Sequence, residues 1–449
     1  MACSWAGRIL AVSVMPSAPD PRTGRYSGSG RGTSRISALN HSGVADVPMG
    51  EDRNGTSEKK IIATVSAAHF VSHYYILLLP PLMPAIHANL GLSYERLALL
   101  LTIFGTMTAL LQTPAGMLAE RMDRPRLLAG ALALGAFAFL LAAALPGFPA
   151  LAAGMALAGA ANAVYHPVDY AILAQASHPG RLPRVFSIHT FAGFLGSAAA
   201  PVSLVAMAQW MGWRGAMAAA AVAGLLLVPM VSLLRMDSMR TKPPGPAGEP
   251  AAVSTTTALL RSPAILSNAG AWVLLSVASV GVQAFLVPAW HGLHDVPIIA
   301  GSMAVSGFMA GTAVGVLGGG ELAGNAKRQQ LVLIAGLLGA ASLVLFSMAP
   351  LATAPLVGVM IAAGLLNGII LPSRDLRVRE AVRGDAVARA FGIVSTGMSL
   401  GVMAGPMIFG PLLGSGHFHA VFLTIAGSYF LSLLLMMGPP LRRRVESGN

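Results

Sequence analysis

The sequence predicts an all-α integral membrane protein, with twelve transmembrane helices arranged as two parallel six-helix repeats. Three observations predict it. Of the 449 residues, 55% are hydrophobic and only 10% are charged, against about 25% in an ordinary soluble domain. Apolar runs of about 20 residues, enough for a helix to cross a bilayer, recur along the chain. An internal repeat then relates the two halves in the same orientation.

Taken in order, the runs fall near 61–84, 94–115, 127–145, 150–172, 185–208 and 215–234, then 264–289, 299–320, 329–349, 355–374, 390–414 and 419–437. We number them helices 1 to 12. Pro80, Pro81 and Pro84 bend or break helix 1 near its outer end, because proline lacks the N–H a helix needs. A Pro-, Ala- and Thr-rich linker, "RMDSMRTKPPGPAGEPAAVSTTTALLRS", separates helices 6 and 7. The expected organisation is therefore a tail over 1–60, a first bundle over 61–234, a linker over 235–262, a second bundle over 263–437 and a basic tail over 438–449.

The N-terminal tail is rich in Ser, Gly, Pro and Arg without apolar periodicity, which reads as disorder. Met49 opens a conventional polar leader, "MGEDRNGTSEKK", and is a candidate for the true start. The single cysteine, Cys3, lies in this tail, which excludes a disulfide framework and a thiolate metal cluster.

The formal charge of +12 comes from 29 basic residues. Nineteen fall on one side of the helices: Arg121, Arg124, Arg126, Arg181, Arg184, four in the linker, Lys327, Arg328, Arg374, Arg377, Arg379, Arg383, Arg389 and Arg442 to Arg444. Arg96 and Arg214 alone fall on the other, and the remaining eight are in the N-terminal tail. Cytoplasmic loops carry such an excess, so both termini and the linker are expected in the cytoplasm. The basic charge is topological and calls for no nucleic-acid partner.

"GAANAVYHP" (159–167) matches "GLLNGIILP" (364–372) with Gly, Asn and Pro in register. The offset of 205 continues through Arg184/Arg389, Phe186/Phe391, Gly196/Gly401 and Pro201/Pro406, and "GMLAERMDR" (116–124) matches "GELAGNAKR" (320–328) at 204. Parallel repeats of six spans place a substrate site at their shared midplane.

Polar residues at membrane depth are costly and face a cavity or a partner. The candidates for substrate or proton binding are His69, His73 and Tyr74 on helix 1, Asn162, Tyr165, His166 and Asp169 on helix 4, His189 on helix 5, Gln283 on helix 7 and Asn367 on helix 10. Positions 162, 165, 166 and 169 share one helix face. Histidine exchanges protons near neutral pH, yet the same residues serve equally well as hydrogen-bonding groups between helices. His166 precedes a proline that frees the carbonyl near residue 163, which is tolerated only beside polar groups or a watery cavity. His189 reads either as part of the site or as an interfacial residue. Asp169 has Arg374 as its repeat equivalent, so it reads as a gate partner of Arg374, Arg121 or Arg124, or else as a proton carrier. Asn162 and Pro167 recur in the second half and fit a role in the fold, whereas Tyr165, His166 and Asp169 do not recur. No ATPase-type phosphate loop, metal-ligand spacing or hydrolytic triad is apparent, so no enzyme activity and no cofactor are expected.

"GMLAERMDRPR" resembles the signature between helices 2 and 3 of the major facilitator superfamily. Gly116, Leu118, Ala119, Arg121 and Arg124 match, Glu120 stands for Asp, Asp123 for Gly and Pro125 for a basic residue. The resemblance implies a cytoplasmic gate at Gly116, Glu120, Arg121, Arg124 and Arg374. Within that family, Tyr165-His166-Pro167, Phe186, Gly193 and Gly196 resemble the fosmidomycin-resistance branch of drug exporters, with Ala200-Pro201 in place of Gly-Pro. Helix 11 carries a ladder of Gly397, Gly401, Gly405 and Pro406, resembling an antiporter motif. The implied function is proton-coupled export (antiport) of a small, partly apolar compound by alternating access, by a monomer in the bacterial inner membrane. Uptake of a small organic acid, or a sensor or assembly partner with a transporter fold, are the alternatives.

Overall fold

The computed structural model describes residues 57–178, 181–234, 259–322, 326–381 and 386–437. The terminal tails, the linker over 235–258 and Met49 lie outside the described residues, as do the side chains of Glu120, Arg389 and Phe391. All regular structure among the described residues is helical.

Eleven helical stretches are long and apolar enough to cross a membrane. They are helix 1 (Glu58–Leu90), helix 2 (Tyr94–Ala119), helix 3 (Arg124–Ala144), helix 4 (Gly147–Ala176), the stretch Arg184–Ser232, helix 7 (Pro263–His294), helix 8 (Ile298–Leu322), helix 9 (Lys327–Phe346), helix 10 (Thr353–Glu380), helix 11 (Gly392–Gly414) and helix 12 (Phe418–Met436). The 49-residue stretch would run about 74 Å as one helix at about 1.5 Å per residue, more than twice the roughly 30 Å hydrocarbon core. Its backbone leaves the helical region at Gly212, with φ 69° and ψ 168°, and this divides it into helices 5 and 6.

Two contacts fix that corner. The Trp213 indole N–H donates to Asn89 Oδ1 at 3.1 Å, and Arg214 donates to the carbonyls of Ala143 and Leu145. Asn89 ends helix 1 and Leu145 follows helix 3, so the corner belongs to the end opposite the basic loops. Twelve candidate crossings result among the described residues.

The first helix of each half is interrupted. In helix 1 the segment Glu58–Ile76 gives way to a 3-10 turn at Pro80–Leu82 and then to Met83–Leu90. Prolines cannot donate to the preceding turn, and the change of pitch follows. In helix 7 a π-turn at Gly281–Phe285 separates Pro263–Val280 from Leu286–His294.

Small residues let the helices approach where lipid supplies no hydrophobic drive. A methyl group on Gly196 of helix 5 would strike the Phe70 carbonyl of helix 1, and one on Gly401 of helix 11 would strike the Val273 carbonyl of helix 7. Glycines related by the repeat thus admit related neighbours. A second pair of junctions repeats atom for atom. Thr108 Oγ1 donates to the Phe104 and Gly159 carbonyls and lies 3.3 Å from Asn162 Nδ2. Thr312 Oγ1 donates to the Phe308 and Gly364 carbonyls and lies 3.4 Å from Asn367 Nδ2. Helix 2 is clasped to helix 4 as helix 8 is to helix 10.

Between the halves, helix 2 packs on helix 11 where Ala98 and Glu95 meet Gly410 and Gly414. Helix 5 meets helix 8 where the Val202 N–H donates to Ser306 Oγ at 3.3 Å. The first of these junctions lies at the end opposite the basic loops, and the second toward it.

Candidate functional site

Helix 1 carries His69 and His73 one turn apart, on the face turned toward helices 4 and 5. Gly193 of helix 5 creates the room, since a Cβ there would stand 2.8 Å from the His69 ring and 3.0 Å from His73. Helix 4 brings His166 and Asp169, and helix 5 brings His189. Helical spacing put the helix 4 residues on one face; only the packing of three helices brings all five side chains together.

His69 and His189 stack with ring centroids 3.7 Å apart and an interplanar angle of 24°. His69 is edge-on to His73 at 4.6 Å and to His166 at 5.1 Å, and His73 lies 6.0 Å from His166. Asp169 Oδ2 is 3.2 Å from His69 Nδ1 and 3.7 Å from His189 Nε2, with both Asp169 and His189 fully buried and His69 nearly so. The 3.2 Å approach is within ion-pair range but misses hydrogen-bond alignment, so Asp169 Oδ1 and Oδ2, His69 Nδ1 and both His189 nitrogens have no hydrogen-bond partner. Such unpaired polar atoms are rare in folded interiors. Tyr170 closes the cluster, 5.5 Å from the His189 ring and packed edge-on to Phe186.

The sequence leaves two readings of Asp169 open, a gate partner of Arg374, Arg121 or Arg124 or a proton carrier. Among the described residues its charged or chargeable contacts are histidines, because it faces inward between helices 1 and 5 rather than toward the basic end. Of the two readings of His189, the structure agrees with a place in the cluster, its ring being buried and stacked on His69.

The other candidates are spread more widely. His73 Nδ1 lies 3.2 Å from Ser197 Oγ, and the Tyr74 hydroxyl lies 2.7 Å from Ser203 Oγ, both joining helix 1 to helix 5. Tyr165 is buried in the core with its hydroxyl unpartnered. Asn162 and Asn367 sit in the clasps, and Asn367 Oδ1 also accepts from the Tyr429 hydroxyl at 3.1 Å. Gln283 donates to Ser279 Oγ one turn earlier on its own helix, away from the histidine cluster.

At the basic end, Arg124 donates to the Ala119 carbonyl and to Gln175 Oε1 at 2.7 Å. Gln329, one position past the repeat equivalent of Arg124, donates to Glu380 Oε1 at 3.3 Å, and Glu380 is the repeat equivalent of Gln175. Asp123 caps helix 3 by accepting the Arg126 N–H, which explains an acid where the family signature has Gly. Gly116 lies against Pro167, and Arg121 is exposed at the end of helix 2. Arg374 pairs with Asp375 at 2.9 Å and lies 3.7 Å over the Trp272 ring. Ser197 and Gln175 belong to residue types too common in helices to stand out in the sequence, and Tyr170 is marked only by its contacts with His189 and Phe186.

The architecture is shared with known transporters. The chain aligns with a bacterial homolog of the human lysosomal transporter Spinster, in an inward-facing and unoccupied conformation, at TM-score 0.67 and 14% identity, covering 84% of this chain and 95% of that one. It aligns with the nucleoside transporter NupG at TM-score 0.67 and 15% identity, covering 84% and 98%. At such identities the likeness shows the fold alone. No curated protein sequence matches the chain significantly. The family model of the Major Facilitator Superfamily matches residues 65–373 and 289–449. Its reach over nearly the whole membrane domain, with the repeated clasps and the twelve crossings, places the chain in the Major Facilitator Superfamily, as a transporter and not an enzyme.

Proposed function

We propose that the protein is a proton-coupled exporter of a small, partly apolar compound, working by alternating access of its two six-helix halves. The carrying observation is the buried contact of Asp169 with His69 and His189 on three different helices of one half. A charge left uncompensated at membrane depth is costly. Taking a proton neutralises the carboxylate and lets the halves close around it, while the neighbouring imidazoles offer a path by which the proton leaves. Asp169 is the ion-coupling group, His69 and His189 relay or share its proton, and His73 and His166 line the approach.

The second half supplies no equivalent cluster among its described residues. Its contribution is the glycine-packed surface of helices 7 and 11 and the half-buried Arg374 over Trp272. This asymmetry fits a division in which the first half handles the ion and the second helps hold the compound. Export rather than uptake rests on the likeness of Tyr165-His166-Pro167 and the helix 5 glycines to the fosmidomycin-resistance branch. The excess of Lys and Arg in one set of loops supports cytoplasmic termini, in a bacterial inner membrane.

The test is accumulation of labelled, partly apolar compounds in cells carrying the protein, with and without an uncoupler. Export predicts that accumulation rises when the gradient collapses. A fall would instead indicate uptake, and no change with any compound, together with no proton movement in vesicles, would remove the transport reading.

A further inference from the structure

We propose that His69, Asp169 and His189 form a three-ligand binding site for a borderline divalent transition-metal ion of the zinc class. One donor atom from each of the three residues lies within 4.8 Å of the other two. Zinc–nitrogen bonds of about 2.0–2.1 Å and zinc–oxygen bonds of about 2.0–2.2 Å set ligand atoms around a tetrahedral ion about 3.3–3.6 Å apart. Two of the three separations are 3.2 and 3.7 Å, and the third is within 4.8 Å.

The unpartnered atoms point the same way. A cluster built only to pack would pair its polar groups with one another. Here Asp169 is fully buried with both oxygens unpaired, and His69 Nδ1 and both nitrogens of His189 are unpaired as well. Two unpartnered imidazole nitrogens beside a buried, unpartnered carboxylate offer a cation three donors within 4.8 Å of one another.

The donor types select the ion. Two imidazoles with one carboxylate suit Zn²⁺ and its borderline neighbours Co²⁺ and Ni²⁺. Mg²⁺ and Ca²⁺ seek all-oxygen shells, and none of the three ligands is the thiolate that Cu⁺ prefers. The ligands come from helices 1, 4 and 5, so no short spacing in the sequence announces them. This inference goes beyond the transport reading, because metal and proton compete for the same lone pairs whether or not protons drive transport.

The test uses tag-free, full-length protein in detergent, stripped with chelator and dialysed against Zn²⁺ or Mg²⁺, with bound metal counted by mass spectrometry. About one Zn²⁺ per chain and no retained Mg²⁺ are expected, with a rise in thermal midpoint given by Zn²⁺ alone. Asp169→Asn and His189→Gln should each weaken Zn²⁺ binding at least about tenfold and diminish the visible absorption of bound Co²⁺. The double variant His417→Gln/His419→Gln, at exposed positions, should leave both unchanged. Zn²⁺ below stoichiometry, equal stabilisation by Mg²⁺, or binding lost in the His417/His419 variant would overturn the proposal. If Asp169→Asn fails to fold, His189→Gln and the wild-type thermal shift still decide it. Zinc binding in a protein that moves no protons would refute only the transport reading, and proton-driven transport without zinc binding would refute only this one.

Discussion

His69 and His189 lie ring on ring, 3.7 Å between centroids, with Asp169 Oδ2 reaching both. They come from helices separated by more than a hundred residues, yet they share one carboxylate. A substitution at any of the three therefore disturbs the other two, and the predictions begin there.

Asp169→Asn keeps the size and the hydrogen-bonding capacity of the side chain but cannot exchange a proton. Gradient-driven transport in vesicles should fall by at least about tenfold, while exchange of labelled for unlabelled compound, which needs no net proton movement, persists. Full pH-driven transport in this variant would exclude Asp169 as the coupling group.

Gly193→Ala places a methyl group 2.8 Å from the His69 ring, so the ring must shift and the cluster must open. Transport should drop with little change in membrane insertion, and Gly193→Val should abolish it. Gly358→Ala on helix 10, with nothing within 4 Å of the added carbon, serves as the silent comparison.

The two asparagine clasps differ by one bond. Asn162 is tied to Thr108, whereas Asn367 is tied to Thr312 and to the Tyr429 hydroxyl. Hydrogen bonds between membrane helices average about 0.6 kcal/mol. Asn367→Ala should therefore lower the thermal midpoint in detergent more than Asn162→Ala. The reverse order would mean that the second-half clasp contributes no extra stability.

Gly212 has φ 69°, a region costly to a residue bearing a Cβ. Gly212→Ala should destabilise the protein by about 1 kcal/mol or more, read as a lower thermal midpoint. Gly91 likewise has positive φ and, like Gly212, open space around it, so Gly91→Ala should also lower the midpoint through backbone strain alone.

Trp272→Ala removes the ring beneath Arg374. A cation–π contact is worth about 0.5–2 kcal/mol, and Arg374→Lys also loses the two-nitrogen contact to Asp375. If this arginine helps hold the compound, both variants should raise KM for transport more than they lower the maximal rate. An unchanged KM would assign the pair to structure.

Much of the fold was legible in the sequence because membranes impose simple rules. Length and hydropathy gave the spans, and the offset of about 205 gave the repeat. That repeat returns as matching clasps at Thr108–Asn162 and Thr312–Asn367. The corner at Gly212 was anticipated as a gap between two runs, though the backbone there stays nearly continuous. For the site, one-helix reasoning placed His166 and Asp169 on a common face but left Asp169 between an arginine gate partner and a proton carrier. Repeat symmetry suggested the arginine, and the two halves differ there.

By itself the sequence determined that the chain must cross the membrane repeatedly, that its halves are alike, and which few polar residues lie at depth. Backbone hydrogen bonding and the cost of charge in hydrocarbon act locally, so they can be read residue by residue. The tertiary structure alone decided that His69, His73, His166, Asp169 and His189 converge and that Arg374 turns to Trp272 and Asp375. Those neighbours depend on how helices rotate and approach at glycines such as Gly193 and Gly196, which a linear pattern does not encode.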